Sequence, residues 1–201
     1  MSQTITLYVD GACRGNPGLG GWGAYVITEQ GEHKLFGGEP DTTNNRMELT
    51  AAIEGVSFCP PDAQLIIWTD SNYVKQGITE WIHGWKKKNW KDVKNPDLWQ
   101  ALDAICQGRQ IEWNWIKGHA GHAGNEMADT LANQGAAQIA AELHTQSKTT
   151  EDTKKKPENE KKYVCYLNFE DHWNMYILDK NEYFYINYIL KNNSKFQKWQ
   201  W

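Results

Sequence analysis

Apolar and polar side chains alternate at the start of the chain. In TITLYVD, Ile5, Leu7 and Val9 point one way and Thr4, Thr6 and Tyr8 the other, a strand ending at Asp10. GGWGAYVIT and HKLFGGE read as the next two strands, with Gln30-Gly31 as the turn signal between them, and such short connections imply an antiparallel meander. The period then changes. Leu49, Ala52, Ile53 and Val56 recur at i, i+3, i+4 and i+7, one face of a helix; Thr43, Asn44 and Asn45 are capping residues ahead of it, and Pro60-Pro61 end it. LIIWT, residues 65–69, is a compact apolar strand. A helix is expected from Ser71, another from about Asp97, and a fifth strand over residues 110–116. A last helix, 125–143, carries Ala128, Leu131, Ala132 and Ile139 on one side. Three meander strands followed by alternating helix and strand predict an α/β fold. Its five-stranded mixed sheet has three antiparallel strands and then two parallel ones. Helices flank it, because parallel strands need both faces buried.

The pattern stops at residue 145. TQSKTTEDTKKKPENEKK, residues 145–162, has no apolar side chain and cannot bury enough surface to order itself, so it reads as a polar linker between a domain at 1–144 and an extension at 163–201. That extension is dense in aromatics and strand formers, in YVCYLNF, MYIL and EYFYINYIL. Three short strand-like runs suit a small appended sheet, and their aromatics suit a small core better than a base-stacking platform.

A length of 201 residues fits one domain plus such an appendage. No apolar run is long enough for a membrane span, and MSQTITLYVD lacks the basic-then-apolar order of a signal peptide. Cys13, Cys59, Cys106 and Cys165 lie far apart with no CxxC pair, which reads as free thiols in a reducing compartment, the cytoplasm. Net charge is −4, from 21 basic and 25 acidic residues, and argues weakly against a nucleic-acid partner. Distribution matters more than the sum: five lysines fall in WKKKNWKDVK, a locally basic, tryptophan-rich stretch compatible with a focused phosphate-binding surface.

The candidate chemistry is acidic. Asp10 ends the first strand and Asp70 the fourth; parallel neighbours would deliver both carboxylates to one C-terminal edge, where open α/β sheets place their sites. Glu48 borders the sheet-facing stripe of the first helix, and Asp129 sits beside Ala128 near the start of the last. Taken singly, each acid is better read as a cap or a surface charge. Taken together, they would repel one another unless a cation neutralised them, and all-oxygen ligands suit Mg²⁺ or Mn²⁺. Two such ions roughly 3.5–4 Å apart can activate a water and stabilise a leaving oxygen in phosphoryl transfer. His119 and His122 stand three apart, but a structural zinc site needs four ligands and no cysteine or third histidine lies nearby in sequence.

YVDGACRGNPG, TTNNRMELTAAI, WTDSNYV and KGHAGHAGNEMADTLA occur in this order. Together they resemble ribonuclease H of the bacterial ribonuclease HI type, over about residues 3–143. The resemblance implies cleavage of RNA paired to DNA with divalent metal, leaving 5′-phosphate and 3′-hydroxyl ends. It implies Asp10, Glu48, Asp70 and Asp129 as ligands of two Mg²⁺ ions, with Mn²⁺ able to substitute, and His119 as the histidine that aids proton transfer or product release. His122 matches no required position. It places Cys13, Asn16, Asn44 and Asn45 against the minor groove, where 2′-hydroxyls mark an RNA strand, with Asn72 as a further polar contact. Thr43 matches a DNA-phosphate pocket, beside which Asp41 brings a negative charge where relatives can carry a basic residue. By local sequence alone Asn16-Pro17-Gly18 is a turn and Asn44-Asn45 a cap.

TEWIHGWKKKNWKDVKNPDLW resembles the family's basic protrusion that grips the DNA strand, in a shorter form with fewer basic residues after Trp90. There lysines neutralise phosphates and tryptophans pack against sugars, so Trp81 and Trp85 are expected as substrate contacts that are also partly packed, and Lys86, Lys87 and Lys88 as exposed phosphate contacts. The partner implied is an RNA–DNA hybrid, with the protein a monomer needing neither membrane nor obligatory protein partner. Two other readings stand beside this one. Another nuclease could share the same sheet and acids, and would cleave DNA duplex. A non-enzymatic hybrid binder gains nothing from clustered negative charge beside phosphates.

Overall fold

A computed structural model describes residues 3–118, 120–151, 163–169 and 172–178. β1 (Thr4–Gly15), β2 (Gly18–Thr28) and β3 (Gly31–Thr42) form the antiparallel meander, with Gly31 at φ 141° in the turn after Gln30. α1 (Asn44–Phe58) follows, capped by Thr43, whose Oγ1 accepts from the Arg46 N–H at 3.4 Å. β4 (Gln64–Thr69) and β5 (Gln110–Trp115) complete a five-stranded sheet in the order β3-β2-β1-β4-β5, with β1, β4 and β5 mutually parallel. The predicted mixed sheet is the observed one.

Register explains how the sheet opens at one end. β1 pairs with β4 only as far as Val9↔Thr69, while its pairing with β2 continues from Asp10↔Gly23 to Gly15↔Gly18. β1 therefore runs five residues beyond the expected end at Asp10 and leaves β4 behind at that point. Asp10 and Asp70 emerge where two parallel strands part. The strand extends because β2 still satisfies its backbone groups.

The alternation sorts the two faces. Ile5, Leu7, Val9, Ala24, Val26, Leu65 and Ile67 are buried together with Leu49, Ala52 and Val56 of α1. Trp99 and Leu102 of α4 (Pro96–Cys106) extend that core, and Arg46 of α1 forms a bidentate pair with Asp97 of α4 at 3.1 and 2.8 Å. Between β4 and α4 the single helix expected from Ser71 is three pieces: α2 (Asn72–Gln76), a π-helical turn (Gly77–Trp81) and α3 (Ile82–Lys87). The Trp99 ring lies against Gly77, where a Cβ would collide with it, so the wider turn occurs where an indole presses on the helix backbone.

α5 (Ala123–Glu151) crosses β2 and β3 at backbone contact distance. A Cβ on Gly21 would land on the Ala132 carbonyl and the Ala136 amide, and one on Gly135 would land on Gly37. The glycines of GGWG and of Phe36-Gly37-Gly38 are the floor on which this helix rests. α5 also continues past residue 143, into the stretch expected to be linker. The segment after Gly135 contains no glycine or proline until Pro157, so nothing in its backbone chemistry stops propagation.

The chain forms two compact units that meet in sequence at Thr149/Thr150. In the second unit, β6 (Tyr163–Phe169) and β7 (His172–Leu178) pair antiparallel, from Tyr163↔Leu178 to Phe169↔His172. Two of the three expected strand-like runs thus form a hairpin; the third, residues 182–190, lies outside the described residues.

Gly21→Ala should destabilise the protein by about 2 kcal/mol or more, because neither facing backbone atom can move aside without lifting α5. Thermal unfolding beside Gly31→Ala tests this: Gly31 has open space around it and carries only the penalty of its positive φ. An unchanged transition for Gly21→Ala would contradict the close approach of α5.

Candidate functional site

Three of the predicted acids meet at the point where β1 and β4 part. One carboxylate oxygen from each of Asp10, Glu48 and Asp70 lies within 4.8 Å of the other two. Asp10 comes from the middle of β1, Asp70 from the residue after β4, and Glu48 from the first turns of α1. The contact between β1 and α1 depends on Gly11, where a Cβ would strike the Glu48 amide. Asp10 and Glu48 are 6% and 5% exposed, so two of the three carboxylates are nearly out of water.

Few partners offset that burial. The Gly11 N–H donates to Asp10 Oδ1 at 2.8 Å, and Asn44 Nδ2 donates to Glu48 Oε1 at 3.3 Å. Glu48 Oε2 is buried with no hydrogen-bond partner. Among the described residues the ion pairs are Arg46–Asp97 and Lys86–Asp103, and neither cation touches the acidic group. Burial, reinforced by the charges of Asp70 and Asp129, pushes the Asp10 carboxyl up to about 8. Burial, with Asp10 and Asp70 beside it, holds Glu48 well above the usual carboxylate range. Two ionised members at such separations repel by about 3 kcal/mol at an effective dielectric of about 20. An orphaned buried oxygen, an all-oxygen donor set and, among the described residues, no cation paired with it fit a hard divalent cation, with Asp10, Glu48 and Asp70 as its holders.

Asp129 lies outside this group of three, although its charge reaches Asp10. It is half-buried on α5, and its Oδ1 accepts from Asn133 Nδ2 at 3.0 Å. His119 is outside the described residues. Exposed His122 leads into α5, its carbonyl accepting from Glu126 N–H at 3.0 Å. It lines an open recess of about 270 Å³ with Tyr8, Trp68, Trp115 and Lys117.

The expected substrate contacts divide into two kinds. Asn16, Asn45 and Asn72 are exposed, and Asn44 is exposed while bonded to Glu48. Cys13 and Thr43 have structural work as well. The Cys13 thiol donates to the carbonyls of Thr42 (3.4 Å) and Gly18 (3.6 Å), and Thr43 caps α1.

In the basic stretch, Trp85 packs at 5.0 Å from Trp99 and 5.8 Å from Trp81, which is 38% exposed. The lysines are exposed, as expected, but Lys86 is ion-paired with Asp103 at 2.7 Å. Lys87 and Lys88 end α3 and precede a loop in which Asn89, Trp90, Asp92 and Asn95 all have left-handed φ between 50° and 61°. Tyr73 ties down that loop: its hydroxyl donates to the Lys94 carbonyl at 3.3 Å and accepts from Asn95 and Trp99 at 3.3 and 2.9 Å.

Sequence reasoning gave no role to Asn125, which is 2% exposed and donates from Nδ2 to Asp70 Oδ2 at 3.4 Å. Its signal was the i, i+4 spacing to Asp129 on one helix face. Gly118 was also missed; a Cβ there would strike Asp70 Oδ2.

The RNase H family model matches residues 2–137. The chain is 57% identical over 145 residues to ribonuclease HI of Neisseria meningitidis (serogroup A), covering 70% of this chain and all of that protein. Among solved structures it is similar to LC9-RNase H1, a type 1 RNase H with the type 2 active-site motif, at TM-score 0.64 and 34% identity, covering 69% of this chain and 74% of that one. It shares its fold with LC11-RNase H1, solved with an RNA/DNA hybrid, at TM-score 0.52 and 23% identity, covering 68% and 99% of the two chains.

The acidic group sets a pH dependence of metal-free stability. At about pH 3 Asp10 is neutral in both the folded and the unfolded state. As pH rises from the ordinary value of 3.8 towards about 8, the unfolded chain ionises while the folded protein keeps its proton, so stability falls across that window. Asp10→Asn removes this loss. In EDTA it should stabilise the protein by about 2–4 kcal/mol near pH 8.5 and by almost nothing near pH 3. Urea unfolding at both pH values measures it; an equal effect at the two would contradict the electrostatic origin.

Proposed function

Because the chain belongs to the ribonuclease H family, we propose that it is an endonuclease that hydrolyses the RNA strand of RNA–DNA hybrids with the help of two divalent cations. The observation that carries this reading is the convergence of Asp10, Glu48 and Asp70 within 4.8 Å, with Glu48 Oε2 buried and unpartnered. Neisserial ribonuclease HI and the hybrid-bound LC11-RNase H1 support the substrate class.

Asp10, Glu48 and Asp70, with Asp129 from α5, hold the cations, Mg²⁺ with Mn²⁺ able to substitute. When bound, these ions supply the charge that activates a water for in-line attack and stabilises the departing 3′-oxygen, which leaves 5′-phosphate and 3′-hydroxyl ends. Asp10 and Glu48 are the carboxyls whose protons would leave when cations enter, since burial raises both without them. His119 moves a proton or aids product release. Asn16, Asn44, Asn45, Asn72 and Cys13 read the minor groove, where the 2′-hydroxyl separates RNA from DNA. Thr43 and the lysines at 86–88 bind the DNA strand, and Trp81 and Trp85 offer ring surface to its sugars while packing the helix that presents them. Lys87 and Lys88 are better placed for phosphates than Lys86, which Asp103 engages. The assignment puts the activity in residues 1–144, in the cytoplasm.

An end-labelled hybrid, beside RNA–RNA and DNA–DNA duplexes, with Mg²⁺ and with EDTA, tests the reaction. Only the hybrid's RNA should be cut, and EDTA should stop it. Asp10→Asn should remove nearly all turnover, whereas His119→Ala should slow it by about 10²-fold. Cleavage of DNA duplex would point to a different nuclease; tight hybrid binding without cleavage would point to a binder.

The basic stretch makes a separate prediction. Replacing Lys87 and Lys88 together by Ala should reduce the slope of log affinity against log salt by about 2 for the catalytically inactive protein on a hybrid. An unchanged slope would remove these lysines from the interface.

A further inference from the structure

Asn125 is a buried polar side chain bonded to the acidic group that the reaction as described leaves without a task. It sits in the first turn of α5 and is 2% exposed. Its Nδ2 donates to Asp70 Oδ2 at 3.4 Å, and its Oδ1 is buried with no partner. An amide buried with one long hydrogen bond costs the fold free energy that an apolar side chain there would not.

Asp70 otherwise has a fixed backbone and a free-turning head. Trp115 Nε1 donates to its carbonyl at 3.0 Å, tying the residue after β4 to the end of β5. Its Oδ2 faces Gly118, where no Cβ would fit, and Asn125 holds that same oxygen from the other chain segment. With Oδ2 engaged, rotation of the carboxylate is set, and so is the direction of its other oxygen. Asn125 and Asp129 lie one turn apart on α5, so the contact also fixes the start of that helix against the end of β4.

We propose that Asn125 is a positioning residue: its amide orients the Asp70 carboxylate and holds α5 against β4, so that the acids from three elements stand ready for a divalent cation before it arrives. The inference rests on the reading of Asp10, Glu48 and Asp70 as cation ligands. Groups that orient metal-binding side chains contribute on the order of 10–100-fold to affinity.

Calorimetric titration of the full chain with Mn²⁺ tests it, comparing wild type with Asn125→Ala and with Asn125→Ser, which keeps a small polar side chain should the alanine variant fail to fold. Each variant should bind Mn²⁺ about 10-fold or more weakly. The Mn²⁺ concentration for half-maximal hybrid cleavage should rise by the same factor, while the rate at saturating Mn²⁺ falls only about threefold or less. A merely structural role would lower the unfolding temperature in EDTA and leave Mn²⁺ affinity unchanged, and that result overturns the inference alone. If wild type itself binds no Mn²⁺, the reading of the acids as cation ligands fails and the inference with it.

Discussion

The crowding of Asp10, Glu48 and Asp70, which burial keeps from ionising together without a cation, is the constraint around which this molecule is organised. Their oxygens lie within 4.8 Å, in a corner where two of them are almost out of water. No single element could impose that arrangement. It takes a long β1 that outlasts its pairing with β4, a capped α1 that brings Glu48 down onto Gly11, and the end of β4 pinned by Trp115. The hydrophobic core beneath, with Leu7, Val9, Leu49, Leu65 and Ile67 buried together, supplies the rigidity that keeps the three carboxyls in place.

Small residues do a second job. Over β2 and β3 the glycines let α5 rest on the strands themselves, and the same helix carries Asn125 and Asp129 to the far side of the acidic corner. Stability and site geometry are therefore coupled through backbone contact. A side chain at Gly21 would lift a helix whose first turns face the acids.

The basic stretch shows the opposite arrangement, in which packing and charge are divided by side of the helix. Trp85 and Trp99 are its anchor, and Tyr73 holds the loop that follows, whose four left-handed residues carry a backbone cost. The lysines stand clear of that core, except that Lys86 is engaged by Asp103.

The alternating strands, the α1 stripe and the sheet they imply were legible in the sequence because periodicity of 2 or 3.6 is a local consequence of having one buried face. Asp70 was legible for the same reason, since a residue just past a parallel strand must emerge at one edge of the sheet; Asp10 was legible although β1 runs on to Gly15, because its parallel pairing with β4 stops at Val9. The glycine floor, the π-helical turn against Trp99 and the Asn125–Asp70 contact were not, because each depends on which distant backbone comes within contact range. The extension of α5 to Glu151 also escaped a composition argument, for helix propagation is set by the turns already formed and not by apolar content. The sequence by itself determined the element order, the faces and the acids. Only the tertiary structure decided how far those acids lose water and what holds them in place, because burial and orientation are properties of packed neighbours and not of spacing along a chain.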